Sequence, residues 1–138
     1  MKVEFDYFSE MANSFEWPLE GIRFVRDGGD GNAVAFDMWE GHFYPIMNAL
    51  FDLCFKQKAI PYLPLLKEWN ECTGYEETDS GPVRELADTI DALRKIDSAD
   101  ISEYRSAPGE IAQILKSLIS FLQSAMSLGQ AVTITKDF

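Results

Sequence analysis

The sequence predicts an α+β domain in which a small, mainly antiparallel sheet of three N-terminal strands and one C-terminal strand packs against about four helices. Three observations lead there. Apolar and polar residues alternate near both ends of the chain. The hydrophobic period lengthens from two to between three and four after Trp39 and returns to two only at Ala131. Strand patterns and helix patterns are segregated along the chain, unlike the interleaving of a βαβ repeat.

Over Lys2 to Phe8, Val3, Phe5 and Tyr7 share one face with Lys2, Glu4 and Asp6 opposite, the pattern of a half-buried strand. Residues 9 to 20 read as a loop with at most a short helix, because Met11, Ala12 and Phe15 suggest a helical turn that Trp17-Pro18 ends. Gly21 to Arg26 and Ala33 to Met38 flank Asp27-Gly28-Gly29-Asp30-Gly31-Asn32, residues that tolerate positive φ, and so predict a hairpin.

Phe43, Ile46, Met47, Leu50, Phe51 and Cys54 recur at three- and four-residue steps as a first long helix, with Pro45 in its first turn. A second helix is predicted from near Pro61, with Tyr62, Leu65, Leu66 and Trp69 on one stripe, giving way to the polar run Glu71 to Asp79. Ser80-Gly81-Pro82 is read as the opening of a third, with Val83, Leu86, Ile90 and Leu93 inward and the pairs Arg84/Asp88 and Asp91/Lys95 four apart. A fourth, from near Pro108 to Gly129, carries apolar residues around most of its circumference and is expected to be packed on several sides. Val132 and Ile134 alternate with Thr133 and Thr135 in the closing strand, Ala131 to Lys136. No linker or repeat divides the 138 residues, so one domain is expected.

The composition supports a packed core: 46% of residues are hydrophobic, with ten Phe, five Tyr and three Trp. Charges interrupt the N-terminal residues where a signal peptide would be apolar, and Asn48, Asp52 and Lys116 break the longest apolar stretches before membrane-spanning length. With only two cysteines, Cys54 and Cys72, a disulfide framework is not indicated, and a cytoplasmic location is expected. Twelve basic and 23 acidic residues give a net charge of -11, which argues against direct nucleic-acid binding and favours cationic partners.

No pattern points to catalysis. Counted from Asp27, a calcium loop would need oxygen ligands where Gly29, Gly31 and Met38 stand, so the segment reads as a turn. His42 is the only histidine, which rules out a two-histidine metal site or a triad within one chain, and it reads as a residue orienting the start of the first long helix. Cys54 falls on an apolar face and Cys72 lies near Glu71, Glu76 and Glu77, neither a setting for a reactive thiolate. The expectation is a binding protein with no catalytic residue, metal or cofactor.

Charge distribution indicates where binding would occur. Residues 66 to 103 hold four basic and eleven acidic side chains. Glu68, Glu71, Glu76, Glu77, Asp79, Glu85 and Asp88 run from the second helix to the third with Trp69 and Tyr75 interleaved. Trp69 fits the core stripe and Tyr75 is the better anchor, so the partner-binding set is Glu68, Glu71, Tyr75, Glu76, Glu77, Asp79, Glu85 and Asp88.

In its size, acidity and α+β pattern, in the run Trp69-Asn70-Glu71-Cys72-Thr73-Gly74-Tyr75 and in the closing strand Val132-Thr133-Ile134-Thr135-Lys136-Asp137, the chain resembles the immunity proteins of bacterial toxin systems, including those of contact-dependent growth inhibition. That resemblance implies a protein that binds and blocks a cognate toxin domain, often a basic nuclease. Two alternatives stand beside it: a cytosolic regulatory or scaffold protein, homodimeric through exposed aromatics such as Trp17 and Trp39, and an enzyme using His42 with Asp37 or Glu40.

Overall fold

A computed structural model describes residues 1–14, 19–71, 80–101 and 109–136, apart from the side chains at 68, 70 and 71. The elements follow in the order β1 (Lys2–Tyr7), α1 (Ser9–Asn13), β2 (Gly21–Asp27), β3 (Val34–Trp39), α2 (Glu40–Phe55), α3 (Pro64–Glu71), β4 (Ser80–Pro82), α4 (Leu86–Arg94), the 3-10 turn Ser98–Asp100, α5 (Glu110–Ser127) and β5 (Ala131–Lys136). The fold is α+β. Its strands form one sheet in the order β1-β3-β2-β5-β4, with β1 parallel to β3 and every other neighbouring pair antiparallel.

Alternation along the strands puts Ile22 and Phe24, Phe36 and Met38, and Val132 and Ile134 on one face, where all six are buried. The register aligns them: Phe24 lies opposite Phe36 on one side and Ile134 on the other. α5 covers this face with Ile111, Ile114, Leu118, Phe121, Leu122 and Ala125, and α2 adds Phe43, Ile46, Met47 and Leu50. Ring edges join the layers, Phe121 standing 5.6 Å from Phe36 and Phe43 5.9 Å from Phe24 between centroids. α5 packs on α4, α2, β2 and β5, but it is not enclosed: Gln113, Lys116, Ser120 and Gln123 form an exposed strip along it.

The hairpin between β2 and β3 forms as expected. Gly29 and Gly31 adopt positive φ, and the acidic oxygens turn onto the loop's own backbone: Asp27 accepts from the Gly29 N–H at 2.7 Å and Asp30 from the Asn32 N–H at 3.0 Å.

The middle of the chain departs from the sequence pattern. Ser80–Pro82 opens no helix but forms edge strand β4 on β5, with Gly81 buried opposite Ile134, and the Val83 N–H extends the ladder by donating to the Val132 carbonyl. Proline is acceptable there because an edge strand has one side that needs no ladder donor. α4 then starts only at Leu86, because Glu85 takes a left-handed conformation with φ 52°. Val83 and Arg84 therefore lie outside the helix, and the ion pair within α4 is Asp91 with Arg94 at 3.8 Å in place of Asp91 with Lys95. Pro45 occupies the sixth position of α2, in its second turn. Tyr62 precedes α3 and is exposed, while Leu63 is buried in its stead.

On the other face of β3, Asp37 is only 4% exposed and takes a bidentate pair from Arg23, directly across the ladder, at 2.7 Å from Nε and 2.8 Å from Nη2. The hydrogen bond to Asp37 raises the pKa of Arg23 against the effect of its burial. Asp6, beside Asp37 in the register, accepts from the N–H groups of Phe8 and Ser9 and from the Ser9 hydroxyl, closing the turn into α1. Removing one member of the Arg23–Asp37 pair strands the other. Arg23→Met is expected to lower unfolding free energy by about 3–5 kcal/mol, and Arg23→Met with Asp37→Leu by clearly less; urea unfolding of the two variants checks this, and equal losses would contradict it.

Candidate functional site

Of the eight residues expected to contact a partner, only Glu85 and Asp88 have side chains among the described residues. Glu85 and Asp88 are exposed at the start of α4, with no ion-pair partner among the described residues. Glu68 and Glu71 belong to α3, Glu71 as its last residue, and their side chains are outside the described set. Tyr75, Glu76, Glu77 and Asp79 lie outside the described residues altogether. Trp69 packs against the core as its spacing suggests, its ring 5.0 Å from Phe43 and 4.7 Å from Tyr44.

α4 shows its charge in order. The exposed residues run from Glu85, Asp88 and Asp91 at one end to Arg94 and Lys95 at the other. Carboxylates near a helix N-terminus and cations near its C-terminus complement the macrodipole, so this sequence stabilises α4 while leaving a negative surface at its start. Glu85 adds local strain, because an L residue with a long side chain is disfavoured in the left-handed region. Thr89 anchors the turn through its N–H and hydroxyl, both donating to the Glu85 carbonyl.

Beyond the end of α4 an open groove of about 200 Å³ is lined by Ala49, Asp52, Leu53, Gln57, Ile96, Asp97 and Asp100. Its carboxylates are partly committed. Asp52 pairs with Lys56 at 3.1 Å, and Asp97 caps the 3-10 turn by accepting from the Ala99 N–H.

His42 occupies a different setting, in the first turn of α2 where the starts of α2 and α5 meet. It is 1% exposed, its ring stands edge-on to Trp39 at 5.2 Å, and Nε2 lies 3.4 Å from a Glu110 carboxylate oxygen. Neither ring nitrogen has a hydrogen-bond partner among the described residues. Burial lowers the pKa of His42, and the nearby Glu110 charge offsets part of that. Gly41 makes the arrangement possible: a Cβ there would sit 2.5 Å from the Trp39 indole. Trp39 is consequently half-buried over the helix start and does not stand out as the free anchor the homodimer reading required, while Trp17 is outside the described residues.

The carboxylates that the enzyme reading pairs with His42 are engaged elsewhere, Asp37 by Arg23 and Glu40 by Lys136 at 3.6 Å. At 1% exposure the imidazole offers a substrate no approach in this conformation. Among the described residues no three His, Cys, Asp or Glu side chains converge on a common point, and no helix is long and apolar enough to cross a membrane. Cys54 is a half-buried free thiol packed on the core.

No protein-family model, curated protein or solved structure matches this chain.

His42 supplies a pH test. A histidine whose folded pKa is depressed stays neutral in the fold, whereas the unfolded chain takes up a proton below about pH 6.5. Stability is thus complete above that value and declines as pH falls through it, by at most about 1.4 kcal/mol per pH unit. Urea unfolding between about pH 7.5 and 5.5 is expected to show this slope in the native protein and to lose it in His42→Gln; the same slope in both would refute the assignment.

Proposed function

We propose that this chain is an immunity or inhibitor protein that binds and neutralises a cognate basic toxin domain, of nuclease type, through the acidic surface between Glu68 and Asp88, with no chemistry of its own. The observation that carries the reading is the exposed pair Glu85 and Asp88 at the start of α4, neither with an ion-pair partner among the described residues. It stands in a stretch, residues 66 to 103, with eleven acidic residues against four basic ones.

A nuclease surface that grips phosphates is cationic, and a rigid helix end presenting carboxylates complements it. Encounter is then steered by charge and completed by aromatic anchors, for which Tyr75 is the sequence candidate. The strain at Glu85 fits a residue retained for contact at some cost to folding.

The decisive experiment is a binding titration against the protein encoded immediately upstream, paired with co-expression to score toxicity. A tight complex that weakens with added salt and relieves toxicity is expected; an upstream product that is neither toxic nor bound would sink the reading. Within that complex, Glu85→Lys with Asp88→Lys should slow association on the order of tenfold at low salt.

Glu85→Asn separates contact from folding, since Asn tolerates the left-handed conformation. It should raise unfolding free energy by about 1 kcal/mol while weakening the complex. A variant that binds as tightly as the native protein would remove Glu85 from the interface.

A further inference from the structure

α2 and α3 run antiparallel, and aromatic rings line the seam between them. At one end Trp69 of α3 meets Tyr44 of α2 at 4.7 Å; at the other Phe51 meets Phe55 at 4.6 Å and Phe55 meets Tyr62 at 5.1 Å. Tyr44, Phe51 and Phe55 lie seven and four residues apart, so they share one side of α2. Phe51 and Trp69 pack against the core, and the other three rings stand open to solvent. Tyr44 is 50%, Phe55 46% and Tyr62 39% exposed, and they are the exposed aromatic rings among the described residues.

The seam is also poor in charge. Between Gly41 and Phe55, α2 carries one charged side chain, Asp52, and that is paired with Lys56. In a protein of net charge -11, a ring-rich strip without free charge has the composition of an interface centre and not of a solvated face.

Charge at the two ends identifies the occupant. Lys56 and exposed Lys58 sit at the Phe55–Tyr62 end. Positions 68 and 71, both Glu, sit in the last turn of α3 at the Tyr44–Trp69 end, with Lys67 the opposing cation there. A two-fold axis across the middle of the seam reverses one copy against the other and brings the basic end of each onto the acidic end of its mate. We infer that two copies of this chain pair isologously through the α2–α3 ring seam, with Tyr44, Phe55 and Tyr62 as the contact centre and Lys58 facing the Glu71 end of the second copy. This pairing shares Glu68 and Glu71 with the acidic surface of the inhibitor reading, but its test, self-association of the purified chain, needs no toxin.

Sedimentation equilibrium of the purified chain tests it. A concentration-dependent dimer is expected, with Phe55→Ser and Tyr44→Ser each weakening it on the order of tenfold, far-ultraviolet circular dichroism showing that both remain folded. Lys58→Glu and Glu71→Lys, each alone, should also shift the chain towards monomer. Mixed together, these two singly impaired variants should associate again, because each then offers the charge its mate lacks, and no effect confined to one monomer can produce that rescue. A native chain monomeric at every concentration would overturn the inference. So would a dimer indifferent to the ring variants, or ring variants whose only defect is loss of binding to a basic partner.

Discussion

At the centre of the molecule the ring of Phe36 meets four others: Phe5 and Tyr7 from β1, Phe24 from β2, and Phe121 from α5, at centroid separations between 5.4 and 6.5 Å. That one side chain sits between both neighbours of β3 and the helix that covers it. Its strand is equally constrained on the opposite face, where the next residue, Asp37, is held by Arg23. β3 therefore cannot slip by one residue without burying a carboxylate in the ring cluster and expelling Phe36, which makes its register the most strongly specified in the sheet. Because β3 passes directly into α2 at Trp39 and Glu40, the same register sets where α2 begins. It thereby sets where His42 is buried and along which line Tyr44, Phe51 and Phe55 emerge.

The net charge of -11 is distributed in ways that differ in consequence. Some carboxylates are spent on structure: Asp27 and Asp30 hold their own loop, Asp6 and Asp97 cap turns, and Glu4 pairs with Arg26 at 2.8 Å. Others compensate a helix dipole while remaining open to solvent, as Glu85 and Asp88 do. Only the second kind is free to meet a cationic surface. The ring seam of α2 and α3 is the complementary case, a strip where charge is almost lacking and aromatic area is open to solvent. A charged approach surface and an apolar seam on the same small domain suit a protein whose work is contact.

Much of the architecture was legible in the residues. The alternation of β2, β3 and β5 survives in the fold because the helices cover one face of each, whereas in β1 it breaks at Val3, which a register shift before Phe5 sets opposite Ala35 and leaves exposed; the Asp-Gly-rich hairpin forms because its residues have few other conformations open to them. The apolar stripes of α2 and α5 follow the same rule, with Met126 near the end of α5 the exception at 44% exposed. Strand β4 was not legible: three residues including a glycine and a proline carry no period, and their role depends on β5, some fifty positions later in the sequence. The start of α4 was misplaced because nothing local announces a left-handed glutamate. Trp39 looked like a free anchor until Gly41 allowed it to fold back over His42. Of the candidate interface, the acidic count was evident from composition, but which carboxylates stand uncompensated required the ladder of α4.

The sequence by itself determined the class of fold, the covered faces of β2, β3, β5 and α2, and the acidity of the middle third, since these follow from local periodicity and from counting. Only the tertiary structure decided the order of strands in the sheet, the burial of a lone histidine beside Glu110, and the exposure of Tyr44, Phe55 and Tyr62 on one seam. Each of those depends on residues far apart in the chain arriving at the same place. Periodicity says which face of an element is apolar but not whether another element is there to cover it.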